Sequence, residues 1–127
     1  MKRKSEALPG EARITKKTDF ERIKREGVWI RGEHFDVIFA RGPEKCARLG
    51  VIVPLYSQNV VARNLLKRRI KEVMRRVVLP KMPGQCDIVV RVRKKAYETT
   101  YETIREELVK IAMRHSEKNP ETTDENR

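Results

Sequence analysis

Cysteine and histidine are scarce in this chain of 127 residues, and carboxylates are outnumbered. Each shortage excludes a class of function. The only two cysteines, Cys46 and Cys86, lack CxxC spacing, so neither a disulfide scaffold nor a zinc site is expected. They fit a reduced, cytoplasmic protein. The only two histidines, His34 and His115, lie far from both cysteines in sequence and form no ligand cluster. No apolar run approaches the ~18–20 residues of a spanning helix, and no apolar signal core follows the basic start. Asp19, Asp36 and Asp87 are scattered, so the general base or metal-holding carboxylates of an autonomous nuclease have no evident source.

What is abundant is positive charge. Thirty Lys and Arg against eighteen Asp and Glu give a formal charge of +12. The excess is uneven: residues 98–127 carry a net −3 and residues 1–97 a net +15. A basic body with a mildly acidic tail calls for a polyanionic partner, with nucleic acid first and an acidic membrane surface second. The length suits one domain, and the 39% hydrophobic content suffices for a modest core.

Residues 1–12 read as a flexible basic arm, 13–115 as the folded domain and 116–127 as a disordered polar tail. Within the domain, Thr18-Asp19-Phe20-Glu21 predicts a capping box opening a short helix that stops at Gly27. Strands are predicted at Val28–Arg31, Phe35–Arg41 and Arg48–Val53. A helix follows from about Asn59, capped by Asn59 or Ser57, to Leu79 before Pro80. Its apolar stripe is Ala62, Leu66, Ile70, Val73 and Val77. Cys86–Val92 predicts a buried strand. A last helix opens at Thr100 and packs through Tyr101, Ile104, Leu108 and Ile111. The order is α-β-β-β-α-β-α, an α+β domain whose helices cover a small sheet and leave room for binding on its other face.

The long helix carries the chemistry. Residues 63–76 hold seven bases in fourteen positions and one acid, Glu72, placed to pair with Arg68. At ~100° per residue, Asn64, Lys67, Arg68, Lys71 and Arg75 cluster opposite the apolar stripe. Arg63 adjoins Asn64, whose amide can donate and accept at a base edge or ribose. A solvated basic face is the plain alternative. The charge density, the near absence of acids and the whole-chain charge favour nucleic acid.

Ala62-Arg63-Asn64-Leu65-Leu66-Lys67-Arg68-Arg69-Ile70-Lys71-Glu72 resembles the Arg-Asn-x-x-Lys-Arg-x-x-Arg-Glu signature of the bacterial ribonuclease P protein family. Arg13-Ile14, Asp19-Phe20, Gly27, Arg48-Leu49-Gly50-Val51, Asp87-Ile88-Val89-Val90, Arg93-Lys94 and Thr100-Tyr101-Glu102 extend the resemblance over residues 13 to about 114. It implies a small mixed four-stranded sheet covered by helices, similar to a ribosomal small-subunit protein domain. It also implies a left-handed crossover at the signature helix, against the usual rule.

The function implied is that of a protein subunit assisting a catalytic RNA, which removes the 5′ leader from precursor tRNA. Hydrolysis and Mg²⁺ belong to the RNA subunit and substrate. The protein raises substrate and Mg²⁺ affinity and broadens substrate range. By position, Arg63, Asn64, Lys67, Arg68, Lys71 and Arg75 would contact RNA. Phe20, Lys24, Ile38, Arg93 and Lys94 would line the cleft for the single-stranded leader. Partners would be the catalytic RNA and the leader, with no membrane and no protein partner. The chain departs from the family at Leu65, where a base is usual, and at Lys71, where Arg is common. Lys-rich residues usually occupy 54–58, here Pro-Leu-Tyr-Ser-Gln, and aromatics often stand at Lys24 and Ile38. A ribosomal or other structural RNA-binding protein explains the charge and size equally well. A helix-turn-helix does not, because residues 48–54 read as strand.

Overall fold

A computed structural model describes residues 13–43, 45–54, 59–82 and 84–118. The basic arm at 1–12 and the candidate cap Ser57 lie outside them. The elements are α1 (Lys17–Glu26), β1 (Val28–Arg31), β2 (Phe35–Arg41), β3 (Arg48–Ile52), α2 (Val60–Val73), β4 (Cys86–Val92) and α3 (Tyr101–Lys118). This is the expected α-β-β-β-α-β-α order. The four strands form one mixed sheet in the order β1-β2-β4-β3. β1 pairs antiparallel with β2, β2 antiparallel with β4, and β3 parallel with β4.

Strand alternation gives the sheet two unlike faces. One buries Phe35, Val37, Phe39, Ile88, Val90 and Val92 against Leu66, Ile70 and Val73 of α2 and Ile104, Leu108 and Ile111 of α3. Burying each such side chain stabilises by roughly 1.5–3 kcal/mol. The predicted stripes on both helices are therefore their packing faces. Phe39 also stacks on His115, with ring centroids 4.0 Å apart.

Three local expectations are corrected, and Gly27 ends α1 as expected but without the left-handed conformation of a glycine stop. The capping box does not form: α1 begins after Lys16 with no side-chain cap, and Asp19 turns to Arg22 and Arg48 instead. Gly27 ends α1 with φ −81°, outside the left-handed region. A glycine stands there for space, since a Cβ would come within 2.6 Å of Ile38 Cγ2. The long helix does not stop at Leu79. After Val73 it widens into a π turn over Met74–Val78, and a 3₁₀ turn then runs over Leu79–Lys81 through Pro80. Proline fits there because a first-turn residue has no N–H bond to lose. Finally, α3 extends to Lys118, so the first residues assigned to the polar tail are helical.

Two caps form as read. Asn59 Oδ1 accepts from Ala62 N–H at 2.8 Å, and Thr100 Oγ1 accepts from Thr103 N–H at 3.2 Å. The histidines also acquire surroundings that sequence spacing had hidden. Glu107 of α3 accepts from the backbone N–H groups of His34 and Phe35 at 2.8 and 3.1 Å, and its other oxygen lies 2.6 Å from His34 Nδ1. This carboxylate ties α3 to the β1–β2 turn.

Candidate nucleic-acid interface

The second sheet face is built from three rows of residues in register across the strands. Ala40, Asp87 and Arg48 form the first; Trp29, Ile38, Val89 and Gly50 the second; Arg31, Asp36, Arg91 and Ile52 the third. Helix α1 lies over the first two. Ile23 packs with Ile38 and Val89, joined by Ile14 and half-buried Phe20. Phe20 sits directly above Gly50, where a Cβ would approach its ring to 2.7 Å. In the third row Ile52 still packs with this group, while Arg31 and Arg91 are exposed.

An ion network clamps α1 in place. Asp87 is fully buried and receives Arg48 Nε and Nη2 at 2.9 and 2.8 Å, and Arg22 Nη2 at 2.7 Å. Asp19 Oδ1 lies 3.4 Å from Arg22 and 3.6 Å from Arg48. Burial pushes the Asp87 carboxyl up, but hydrogen bonds from Arg48 and Arg22 outweigh it and hold the group below the ordinary carboxylate value. Asp19 and Asp87, scattered in sequence, are thus brought together, and their partners are arginines.

On α2 the predicted residues divide. Asn64 and Arg68 are exposed, and neither they nor Lys67 and Lys71 make a side-chain hydrogen bond or ion pair among the described residues. Lys71 stands near Lys67 and Arg13. Partial burial, then those two charges, hold its ammonium below the ordinary lysine value. Arg13 was not expected to take part as a cation. It arrives because Arg13 and Ile14 run along the edge of β3, Ile14 N–H donating to Leu49 O at 2.9 Å. Arg63 turns inward, donating from Nη2 to Val53 O at 3.0 Å, and so fixes the exit of β3. Glu72 does not pair with Arg68. It takes Arg75 at 2.9 Å and also Arg76, because the helix places them three and four residues on. Arg75 is consequently half-buried and internally neutralised, unlike its neighbours on the basic face.

The predicted cleft residues also divide. Ile38 is wholly buried beneath α1, so it supports the floor and offers no surface. Lys24 is exposed at the end of α1, and its carbonyl accepts from Trp29 Nε1 at 3.0 Å. Arg93 donates to Asp36 Oδ1 from Nε at 3.2 Å and from Nη2 at 2.9 Å, and Lys94 beside it is exposed. Sequence reasoning missed Trp29, Arg31 and Arg91. The alternation of FDVIFAR and CDIVVRV carried the signal, since it sets Asp36 and Arg91 on the face away from the main core. Among the described residues, no three His, Cys, Asp or Glu gather to hold a metal. No helix among them is long and apolar enough to cross a membrane.

Fold and surface together define a small basic α+β domain whose exposed helix face and open sheet row suit a polyanion. Comparison with known proteins resolves the kind. A family model described as ribonuclease P matches residues 8–116. The ribonuclease P protein component of Thermotoga maritima is 34% identical, over 87% of this chain and 97% of its own. That of Picosynechococcus sp. is 33% identical, over 84% and 91%. The solved Thermotoga maritima RNase P protein superposes with a TM-score of 0.72 at 34% identity, covering 80% of this chain and 96% of that one. A Staphylococcus aureus RNase P protein mutant gives 0.76 at 29% identity, covering 84% and 89%.

This chain belongs to the bacterial ribonuclease P protein component family. It is a component of an endoribonuclease holoenzyme that processes tRNA, and membership implies association with the ribonuclease P RNA.

Proposed function

We propose that α2 binds the ribonuclease P RNA through Asn64, Lys67, Arg68 and Lys71, while the open sheet row beside α1 holds the single-stranded 5′ leader of precursor tRNA. The observation that carries this reading is the state of the α2 cations. Lys67, Arg68 and Lys71 have no carboxylate partner among the described residues, whereas Glu72 is spent on Arg75 and Arg76. Clustered cations repel one another, a smaller cause than burial of the lowered Lys71 pKa, and phosphates relieve the repulsion. Arg63 contributes by holding the β3–α2 junction, and Arg75 contributes least.

The leader half rests on the neighbouring surface. Phe20 and Trp29 supply aromatic area, and Arg91, Arg93 and Lys94 supply charge, the combination that holds single strands without regard to sequence. By holding both the catalytic RNA and the leader, the protein raises substrate affinity and lowers the Mg²⁺ concentration that cleavage requires. The Mg²⁺ implied by the family does not fit this chain's described residues. Asp36 and Asp87 are both committed to guanidinium groups, so the ion is assigned to RNA and substrate. The residues described here position RNA and take no chemical step.

The test is cleavage of precursor tRNA by a bacterial ribonuclease P RNA at low Mg²⁺, with and without the protein. Stimulation should fall when Lys67 and Arg68 become Gln, and affinity for the catalytic RNA should fall with it. Its log–log salt slope should flatten by roughly 0.7–0.9 per cation removed. No stimulation by the parent chain, together with tight binding to ribosomal RNA, would replace this reading with a ribosomal one.

A further inference from the structure

Helices α2 and α3 cover the sheet face away from α1, and the outer side of α3 takes no part in the RNA-binding surfaces. Where the long helix widens into its π turn, an apolar groove runs between that turn and α3. Val77, Val78 and Met82 line one side of its cavity of about 220 Å³, and Val109, Ala112 and Met113 the other. Met113 is 59% exposed. Val109 and Met113 stand four residues apart and so share one row along α3. The adjoining four-residue row reads Glu102, Glu106, Lys110, Arg114, two acids and then two bases, all exposed. None of the four makes an ion pair or side-chain hydrogen bond among the described residues.

A row of that order is self-complementary. Laid antiparallel on its own copy about a two-fold axis, residue 102 meets 114 and residue 106 meets 110, so each acid faces a base in four pairs. A parallel pairing would set like charges opposite each other, at a cost. Four-residue rows are also the ridges that interdigitate when two helices pack. The Val109–Met113 row, beside the charged one, supplies the apolar contact. A chain of formal charge +12 repels its copies over most of its surface, and this row is a place where the two signs balance.

We propose that the outer face of α3 is a homodimer interface, on which a second copy of this chain packs its own α3 antiparallel. The charge order selects that occupant over an unrelated protein, since only a copy must match acids and bases segregated by halves of one helix. One helix face and one turn make a small interface of the transient class, so the dimer is concentration-dependent. The contact uses the far end of the long helix. Asn64, Lys67 and Arg68 near its start stay open, and each dimer presents two RNA-binding helices.

The test is sedimentation equilibrium of the whole protein, up to about 0.5 mM, in the range where weak complexes form. Salt of about 0.15 M screens the net charge beyond roughly 8 Å. The parent should pass from monomer to dimer as its concentration rises. Glu102→Lys/Glu106→Lys makes the row wholly basic, and Lys110→Glu/Arg114→Glu makes it wholly acidic. Each variant should self-associate at least roughly tenfold more weakly, through lost pairs and new repulsion. An equimolar mixture of the two should regain dimers, because every acid again meets a base. Met113→Ser should weaken the parent dimer roughly fivefold through lost apolar contact. All five positions are exposed, and urea unfolding checks that each variant folds.

A parent that stays monomeric over this range overturns the proposal. If its Met113 methyl resonance then shifts when the chain is truncated after Lys118, the groove belongs to the chain's own tail. A dimer that both charge variants leave intact, or a mixture that regains nothing, puts the contact elsewhere and overturns the proposal as well.

Discussion

Replacing Asp87 with Ala should be among the most damaging single changes in this domain, for a reason that can be sized. The carboxylate is fully buried and accepts three hydrogen bonds, two from Arg48 and one from Arg22. The Arg48 side chain is only 10% exposed, so its charge would stay in a low-dielectric site without the two hydrogen bonds it donates to Asp87, the 3.6 Å approach to Asp19 offsetting only part of the loss. Uncovering one partner of a buried ion pair costs about 3–5 kcal/mol. A small domain has only ~5–15 kcal/mol in total, so up to half or more of its stability would go. With a urea m-value of about 1.5 kcal/mol/M, the midpoint should fall by roughly 2–3 M with m unchanged. The double variant Asp87→Leu/Arg48→Met should recover most of the loss, because removing both charges also removes their desolvation penalty. The pH dependence has a definite sign. The Asp87 carboxyl is held below its ordinary value in the fold, so its contribution is complete above pH ~3.9 and fades as pH falls through the lower folded value. The deficit of Asp87→Ala should therefore shrink below about pH 4. A midpoint shift under 0.5 M at pH 7, or a double variant no better than the single one, would refute the reasoning.

Glu107→Ala strips the acceptor from two backbone N–H groups of the β1–β2 turn and should cost about 1–3 kcal/mol in thermal or urea unfolding, with Glu107→Gln costing less. Burial holds His115 below its ordinary pKa, so its share of stability is present above pH ~6.5 and lost as pH falls below that; His115→Phe should flatten this segment of the stability–pH curve. Burial also pushes the Cys86 thiol up to about 12 while Cys46 is exposed, so a thiol reagent at pH 8 should label one cysteine in the native protein and two in urea.

The core was legible because its periodicities are simple. FDVIFAR and CDIVVRV are strands with both faces buried over most of their length, and Leu66, Ile70 and Val73 mark one helix face. The caps at Asn59 and Thr100 were legible because a cap acts within three residues. The Thr18 box failed because the helix starts two residues earlier, with Lys16 at the cap, which leaves Thr18 inside the first turn; nothing local announces that Asp19 would also meet Arg48. Likewise Glu72 was assigned to Arg68 on helical spacing alone, and Arg75 and Arg76, three and four residues on, won it. The open row Arg31–Asp36–Arg91–Ile52 depends on strand order, which local pattern does not encode. Ile38 illustrates the same limit: the family resemblance placed it in the cleft, but the path of α1 decided that it would be covered.

The place of β4 in the sheet bears on how the chain is made. The last strand in sequence is an inner one, paired on one side with β2 and on the other with β3. A nascent chain ending before Cys86 can close the β1–β2 hairpin, but β3 has no neighbour within the sheet and Arg48 and Arg22 lack the carboxylate that joins them. Most of the sheet pairing therefore waits on seven residues that follow the other three strands in sequence, because both β2 and β3 pair with them. Until then, its unpaired strand edges and unanswered cations are open to any polyanion nearby, the chain's own RNA partner among them.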